Sequence, residues 1–146
     1  MKNTKPLVNV ATACEKVLVE KDNVFSAIRV IDIFYVSSEI AAIQQQPGAH
    51  IPVSALIMLR RGDYAGEGEL SLVIETPVGQ RIDSPTKWPM LFNEQNEGGN
   101  VILSFPLPLT NIGTTWIEVL WNGDCLTRFP VTLRLGQKPV EQSAQS

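Results

Sequence analysis

Two apolar runs flank an Asn-Gly pair toward the C-terminal end of the chain, and their alternation is the clearest pattern in the sequence. Across Gly113–Leu135, GTTWIEVLWNGDCLTRFPVTLRL, Ile117, Val119 and Trp121 take one parity, and Trp116, Glu118 and Leu120 the other. Successive side chains of a strand point to opposite faces, so the first set makes a strongly apolar face. Asn122-Gly123 suits a type I′ turn, whose two central residues both need φ > 0. The stretch predicts a β-hairpin. On its return strand Phe129, Val131, Leu133 and Leu135 share a parity that Leu126 does not. A one-residue offset flips every side chain, so something must absorb it. Arg128-Phe129-Pro130 is the expected place, because Pro130 brings no ladder donor and belongs at a bulge, an edge or a crossing between sheets.

The remaining chain reads as further strands between turns. Leu7–Cys14 alternates, Glu15-Lys16 interrupts it, and Val17–Val19 resumes. Lys21-Asp22-Asn23 is a turn, since Asp and Asn bond their own backbone and tolerate αL. Phe25–Val36 is the most β-prone run: Ile28, Val30, Phe34 and Val36 share one parity, and Ile31, Ile33 and Tyr35 the other. Apolar residues at both parities predict a strand that is central or partly covered on both faces. Ser37–Gln46 is the one expected helix, with a serine cap and Pro47-Gly48 to stop it. Pro52–Arg61 and Glu69–Thr76 read as strands, joined by the Gly-rich Arg61–Gly68 loop. Asp83–Asn100 shows no periodicity and is expected to be a long irregular loop of the kind that carries function. Asn100–Leu107 is the last strand before the hairpin.

This spacing predicts an all-β fold. The expected architecture is an antiparallel two-sheet immunoglobulin-like sandwich of about seven strands, with at most one short helix near residues 37–46. The sandwich domain is expected over residues 7–136, after a polar tail at 1–6 and before a flexible C-terminal tail at 137–146.

With 146 residues the chain has one domain's length. A formal charge of -3, with Arg60-Arg61 the only adjacent basic pair, argues against nucleic acid as a partner. MKNTKPLVNVATAC lacks the apolar run of a secretion signal, and no stretch approaches the ~18 apolar residues of a membrane helix. The expected location is the cytoplasm, away from membranes. Cys14 and Cys125 have no CxxC or Cys/His spacing, so zinc is not expected; they read as unpaired small buried hydrophobes.

Three patterns in order carry a resemblance: Ala13-Cys14-Glu15 followed by Phe25-Ser26-Ala27-Ile28; a strand closing on Thr76-Pro77-Val78-Gly79; and Gly113-Thr114-Thr115, Ile117, Val119 and Asn122-Gly123 ahead of Pro130-Val131. From about Val8 to Leu135 the chain resembles a family of short uncharacterised bacterial proteins with an immunoglobulin-like or C2-like β-sandwich. The resemblance implies that fold and a bacterial source, and no activity or catalytic residues.

His50 is the only histidine, so triad chemistry would have to pass through it, yet no G-x-S-x-G elbow accompanies it. Asp63, Glu67 and Glu69 set three carboxylates on a Gly-rich loop, the kind of hard oxygen donors that hold calcium in C2-like domains; a solvated acidic turn is the competing reading. Arg29 and Tyr35 mark an outer surface for association, and Trp88, Met90 and Phe92 supply contact anchors in the long loop, unless that loop folds back to cap one end of the sandwich. The expectation is a non-enzymatic protein-interaction or accessory module with no cofactor, whose partner is another protein or a second copy. The alternatives are a small-ligand binder that stacks a sugar or nucleotide on Trp88, and a phage or virion structural component.

Overall fold

A computed structural model describes residues 3–37 and 48–136. The polar N-terminal tail, the expected helix and the C-terminal tail fall partly or wholly outside them; of the helix only Ser37 is described. The described chain is all β. Ten strands run as β1 (Leu7–Val19), β2 (Phe25–Val30), β3 (Ile33–Val36), β4 (His50–Arg60), β5 (Gly66–Glu75), β6 (Arg81–Asp83), β7 (Trp88–Phe92), β8 (Gly98–Pro108), β9 (Gly113–Trp121) and β10 (Asp124–Leu135). They form a sandwich of two sheets, one in the order β2-β1-β4-β8, the other β3-β10-β9-β5-β6 with β7 also on β5.

The hairpin organises the second sheet as its sequence dictates. Asn122 and Gly123 have φ of 50° and 85°, the left-handed values that a type I′ turn needs. Ile117, Val119 and Trp121 are buried, while Trp116, Glu118 and Leu120 are only partly so. The tip is tied to β5: the Asn122 amide donates to the Glu69 carbonyl at 3.0 Å, and the Glu69 amide donates to Asn122 Oδ1 at 2.9 Å. The expected offset exists, but one step earlier. The register shifts between Cys125 and Thr127, so Leu126 is the extra residue and Pro130 pairs in register with Trp116. Pro130 needs no bulge because its nitrogen faces the side where β10 has no partner yet. Thr132, of the same parity, donates to the Asp32 carbonyl at 2.7 Å where β3 begins.

Ten strands replace the expected seven because three were hidden. The first comes from the Phe25–Val36 run, which is two edge strands and not one central strand. Arg29 has φ 53° and the chain leaves β2 after Val30, crosses through Ile31-Asp32, and enters the other sheet as β3, parallel to β10. The crossing reverses which parity faces the core: Ile28 and Val30 are 40% and 63% exposed, while Phe34 and Val36 pack on the core. The other two lie on β5: β6 pairs with Val73–Glu75 and β7 with Gly66–Leu70. The long irregular loop is therefore partly strand, with Trp88, Met90 and Phe92 turned inward and Pro89 and Leu91 outward.

Between the sheets lies one apolar core, in which Ala13, Val53, Ala55, Ile57 and Leu59 of the four-stranded sheet face Leu70, Leu72, Ile117, Val119, Val131 and Leu133 of the other. At one end Tyr64, Phe92 and Trp121 meet edge to face, with centroids 5.5–6.1 Å apart. Trp121 Nε1 donates to the Tyr64 hydroxyl at 3.3 Å, which spares the indole an unmade buried bond. Both cysteines are free, Cys14 buried and Cys125 exposed, so the expectation of two buried thiols holds for Cys14 only. Burial pushes the Cys14 thiol above its ordinary range. In the folded protein, Ellman's reagent is expected to titrate one thiol quickly. The second should react only in denaturant, and mass mapping should place the fast label on Cys125.

Candidate functional site

The crossing from β2 to β3 builds a concave surface from residues that the sequence left apart. An open depression of ≈ 770 Å³ lies there, lined by Arg29, Val30, Ile31, Ile33 and Tyr35 together with Glu15, Asp32 and Ile51. The structure thus brings Arg29 and Tyr35 to one site. Arg29 owes its place to its left-handed φ, a conformation that costs a non-glycine residue about 1–2 kcal/mol. Its guanidinium pairs with Glu15 at 3.1 Å; both side chains are more than half exposed, so the pair adds little stability.

The backbone around this depression is unsatisfied on one side. At the hairpin end of β2 the Glu20 amide donates to the Val24 carbonyl, so Ser26 and Ile28 bond β1 and Phe25 and Ala27 turn their N–H and C=O to the open edge. Past the left-handed Arg29 the Ile31 amide donates to the Ala13 carbonyl, so Val30 turns outward instead. Along β3 the carbonyls of Asp32, just before it, and of Val36 accept from Thr132 of β10 and from Gly136 just after it, so even residues bond inward and Ile33 and Tyr35 face outward. Among the described residues no strand lies beyond either edge. The switch therefore presents two short open edges, one in each sheet, flanking an apolar hollow with three charged side chains at its border.

The other predicted residues are placed elsewhere. Phe92 is 1% exposed, and Trp88 and Met90 pack against the core, so the trio caps one end of the sandwich. Phe92 is corrected from contact anchor to core residue: β7 pairs with β5 and turns this parity inward. Asp63, Glu67 and Glu69 do not converge. Asp63 Oδ1 accepts from the Asn3 amide at 2.7 Å and Glu69 lies 3.7 Å from Lys87 Nζ, and no cluster of three metal-ligating side chains occurs among the described residues. His50 opens β4 on the surface, its Nδ1 2.9 Å from the Gly48 carbonyl oxygen.

Sequence reasoning passed over the outer face of the six-stranded sheet. Arg128 stacks over Trp116 at 4.1 Å, and Arg81 holds Glu118 in a two-pronged pair at 2.6 and 3.1 Å. That bond keeps the Glu118 carboxyl below its ordinary range. The available signal was parity, since Trp116 and Glu118 share the hairpin's outward face.

No family model and no curated protein matches the chain. Among solved structures it is similar to an alkylpurine DNA glycosylase, AlkC, of Pseudomonas fluorescens bound to DNA containing an abasic site analog, at 10% identity and a TM-score of 0.47. That likeness covers 70% of this chain and 27% of the glycosylase, so the chain spans about a quarter of that protein's length. It is also similar to an immunoglobulin-like protein of Pseudomonas aeruginosa, at 15% identity and a TM-score of 0.42, over 90% of this chain and 98% of that one. Likenesses this remote carry no argument about function. No helix among the described residues is long and apolar enough to cross a membrane.

Proposed function

We propose that the protein is a non-enzymatic interaction module that takes up an extended segment of a partner protein at the β2–β3 switch. The observation that carries this reading is the pair of open strand edges bordering the Arg29–Tyr35 hollow. Unpaired N–H and C=O groups are a template for an added strand, which gains main-chain hydrogen bonds from the edge and side-chain specificity from the pockets beside it. Val30, 63% exposed, and Tyr35 offer the apolar contacts. Glu15, Arg29 and Asp32 at the rim set the register of charged residues on the incoming segment.

Selection of binders from a random-peptide display library tests this. Peptides recovered on the wild-type protein are expected to lose about tenfold or more in affinity on Ile33→Pro, which removes an outward N–H, and on Arg29→Glu, which reverses a rim charge. Both variants are expected to keep the wild-type melting profile, because the Ile33 N–H faces outward and the Arg29 side chain is exposed, its pair with Glu15 adding little stability. Binders indifferent to both changes would place recognition elsewhere.

A further inference from the structure

A second, more enclosed space lies between the sheets, on the side where β8 faces β5 and β6. Its volume is ≈ 260 Å³. The floor is Ala55, Leu72 and Ile117, and the walls include Ile74, Leu103 and Phe105. The segment from Ile82 to Thr86 and the ring of Trp88 form the roof.

The reason for the space is legible in the register. Ala13 of β1 and Ala55 of β4 are direct cross-strand neighbours, both buried on the inner face of their sheet. Only Ala55 of the two lines the space: its methyl group, where β4 otherwise offers Val53, Ile57 and Leu59, leaves the layer beside Leu103 of β8 short of volume. Protein interiors are close-packed and rarely retain a void that neighbouring side chains could fill. Here the roof is held off the floor by its own bonds. The Ser84 amide donates to the Leu72 carbonyl at 2.9 Å, Ser84 Oγ donates to the Thr86 carbonyl at 3.1 Å, and the Thr86 amide donates back to Ser84 Oγ at 3.3 Å.

Those bonds also decide what the space can take. The Ser84 hydroxyl is spent within the roof, and Ser104 Oγ is 3.3 Å from Ser54 Oγ, so these donors already have partners. A sugar or nucleotide would bury hydroxyls or phosphates against Leu72, Ile74, Leu103 and Phe105, where a polar group without a partner is costly. Size narrows the class further. A cavity of ~150 Å³ holds benzene, and sites for drug-sized ligands begin near ~300 Å³. We infer that this cleft is a binding site for a small uncharged apolar molecule, a single aromatic ring with a short substituent or a short alkyl chain, seated between the sheets against Trp88.

Ethylbenzene, a single ring with a short substituent, followed by ligand-observed NMR, is the probe. It is expected to bind the wild-type protein saturably and to be displaced by toluene or 1-hexanol but not by methyl glucoside or AMP. Ala55→Leu, which fills the floor, should weaken binding about tenfold or more with the far-UV circular dichroism unchanged. If that variant does not fold, Thr86→Trp at the exposed rim blocks the mouth without touching the core and gives the same readout. Absence of saturable binding, equal binding by a folded variant of either kind, or displacement by the sugar or nucleotide overturns the assignment. Ile33→Pro leaves probe binding unchanged, so this site and the strand-edge site succeed or fail separately.

Discussion

Trp121→Ala is expected to remove about 3–5 kcal/mol of stability, the range for deleting a large buried aromatic. Domains of this kind hold only ~5–15 kcal/mol in all. The reasons are local and additive in kind. Trp121 is 2% exposed, it ends the inward face of β9, and its ring touches Tyr64 and Phe92 edge to face. Its loss opens a cavity that Phe92 cannot refill, because β7 holds Phe92 in register opposite Gly66. It also strips the Tyr64 hydroxyl of its donor. Urea unfolding should show a midpoint lowered by about 1 M or more at an unchanged slope. Tyr64→Phe, which deletes only the hydrogen bond, should cost about 0.5–1.5 kcal/mol. If Trp121→Ala unfolds at the wild-type midpoint, the aromatic cluster does not hold this end of the sandwich together.

Gly68→Ala is the second large effect, expected at about 1–3 kcal/mol for one added methyl group. A Cβ at this position would come within 2.2 Å of Trp121 Cζ2 and 2.4 Å of Cε2. Neither can give way, since the indole is fixed by Tyr64 on one side and Phe92 on the other. This glycine is required by close approach rather than by backbone conformation, which separates it from Gly123 in the hairpin turn. The distinction has a direct check. Trp121→Phe removes the indole atoms that the new methyl group would strike, so combining it with Gly68→Ala should cost less than the sum of the two single changes. Strict additivity would mean that the methyl group collides with something else.

The sequence announced those parts of the fold whose local chemistry and tertiary role coincide. Asn122-Gly123 and the Ile117, Val119, Trp121 parity specify a hairpin with one buried face, and no distant residue contradicts them. Phe25–Val36 misled because a central strand and a strand that changes sheets leave the same trace, apolar residues at both parities. What distinguishes them is the left-handed Arg29 and the two-residue crossing at Ile31-Asp32, neither of which departs from ordinary strand composition. Strand β7 was obscured by Pro85 and Pro89, which read as loop, although Trp88, Met90 and Phe92 alternate; Pro89 is tolerated because β7 pairs only with β5. Of the candidate residues, Arg29 and Tyr35 line one depression, which the sequence suggested only through a charge set in an apolar run. The cleft was not foreseen, because the Ala55–Leu103 pairing beside it joins strands far apart in sequence and only register reveals it.

The two-residue crossing has a consequence for motion. The outermost ribbon of one layer is spliced directly to the outermost ribbon of the other, with no slack between them. Fraying at one border pulls on the other, so these margins should open as a single unit. In deuterium-exchange measurements, the outward amides of Ala27 and Val30 and those of Ile33 and Tyr35 exchange freely in any case. The inward amides of Ser26, Ile28, Ile31, Phe34 and Val36 should exchange with one shared opening free energy, below that of the hairpin.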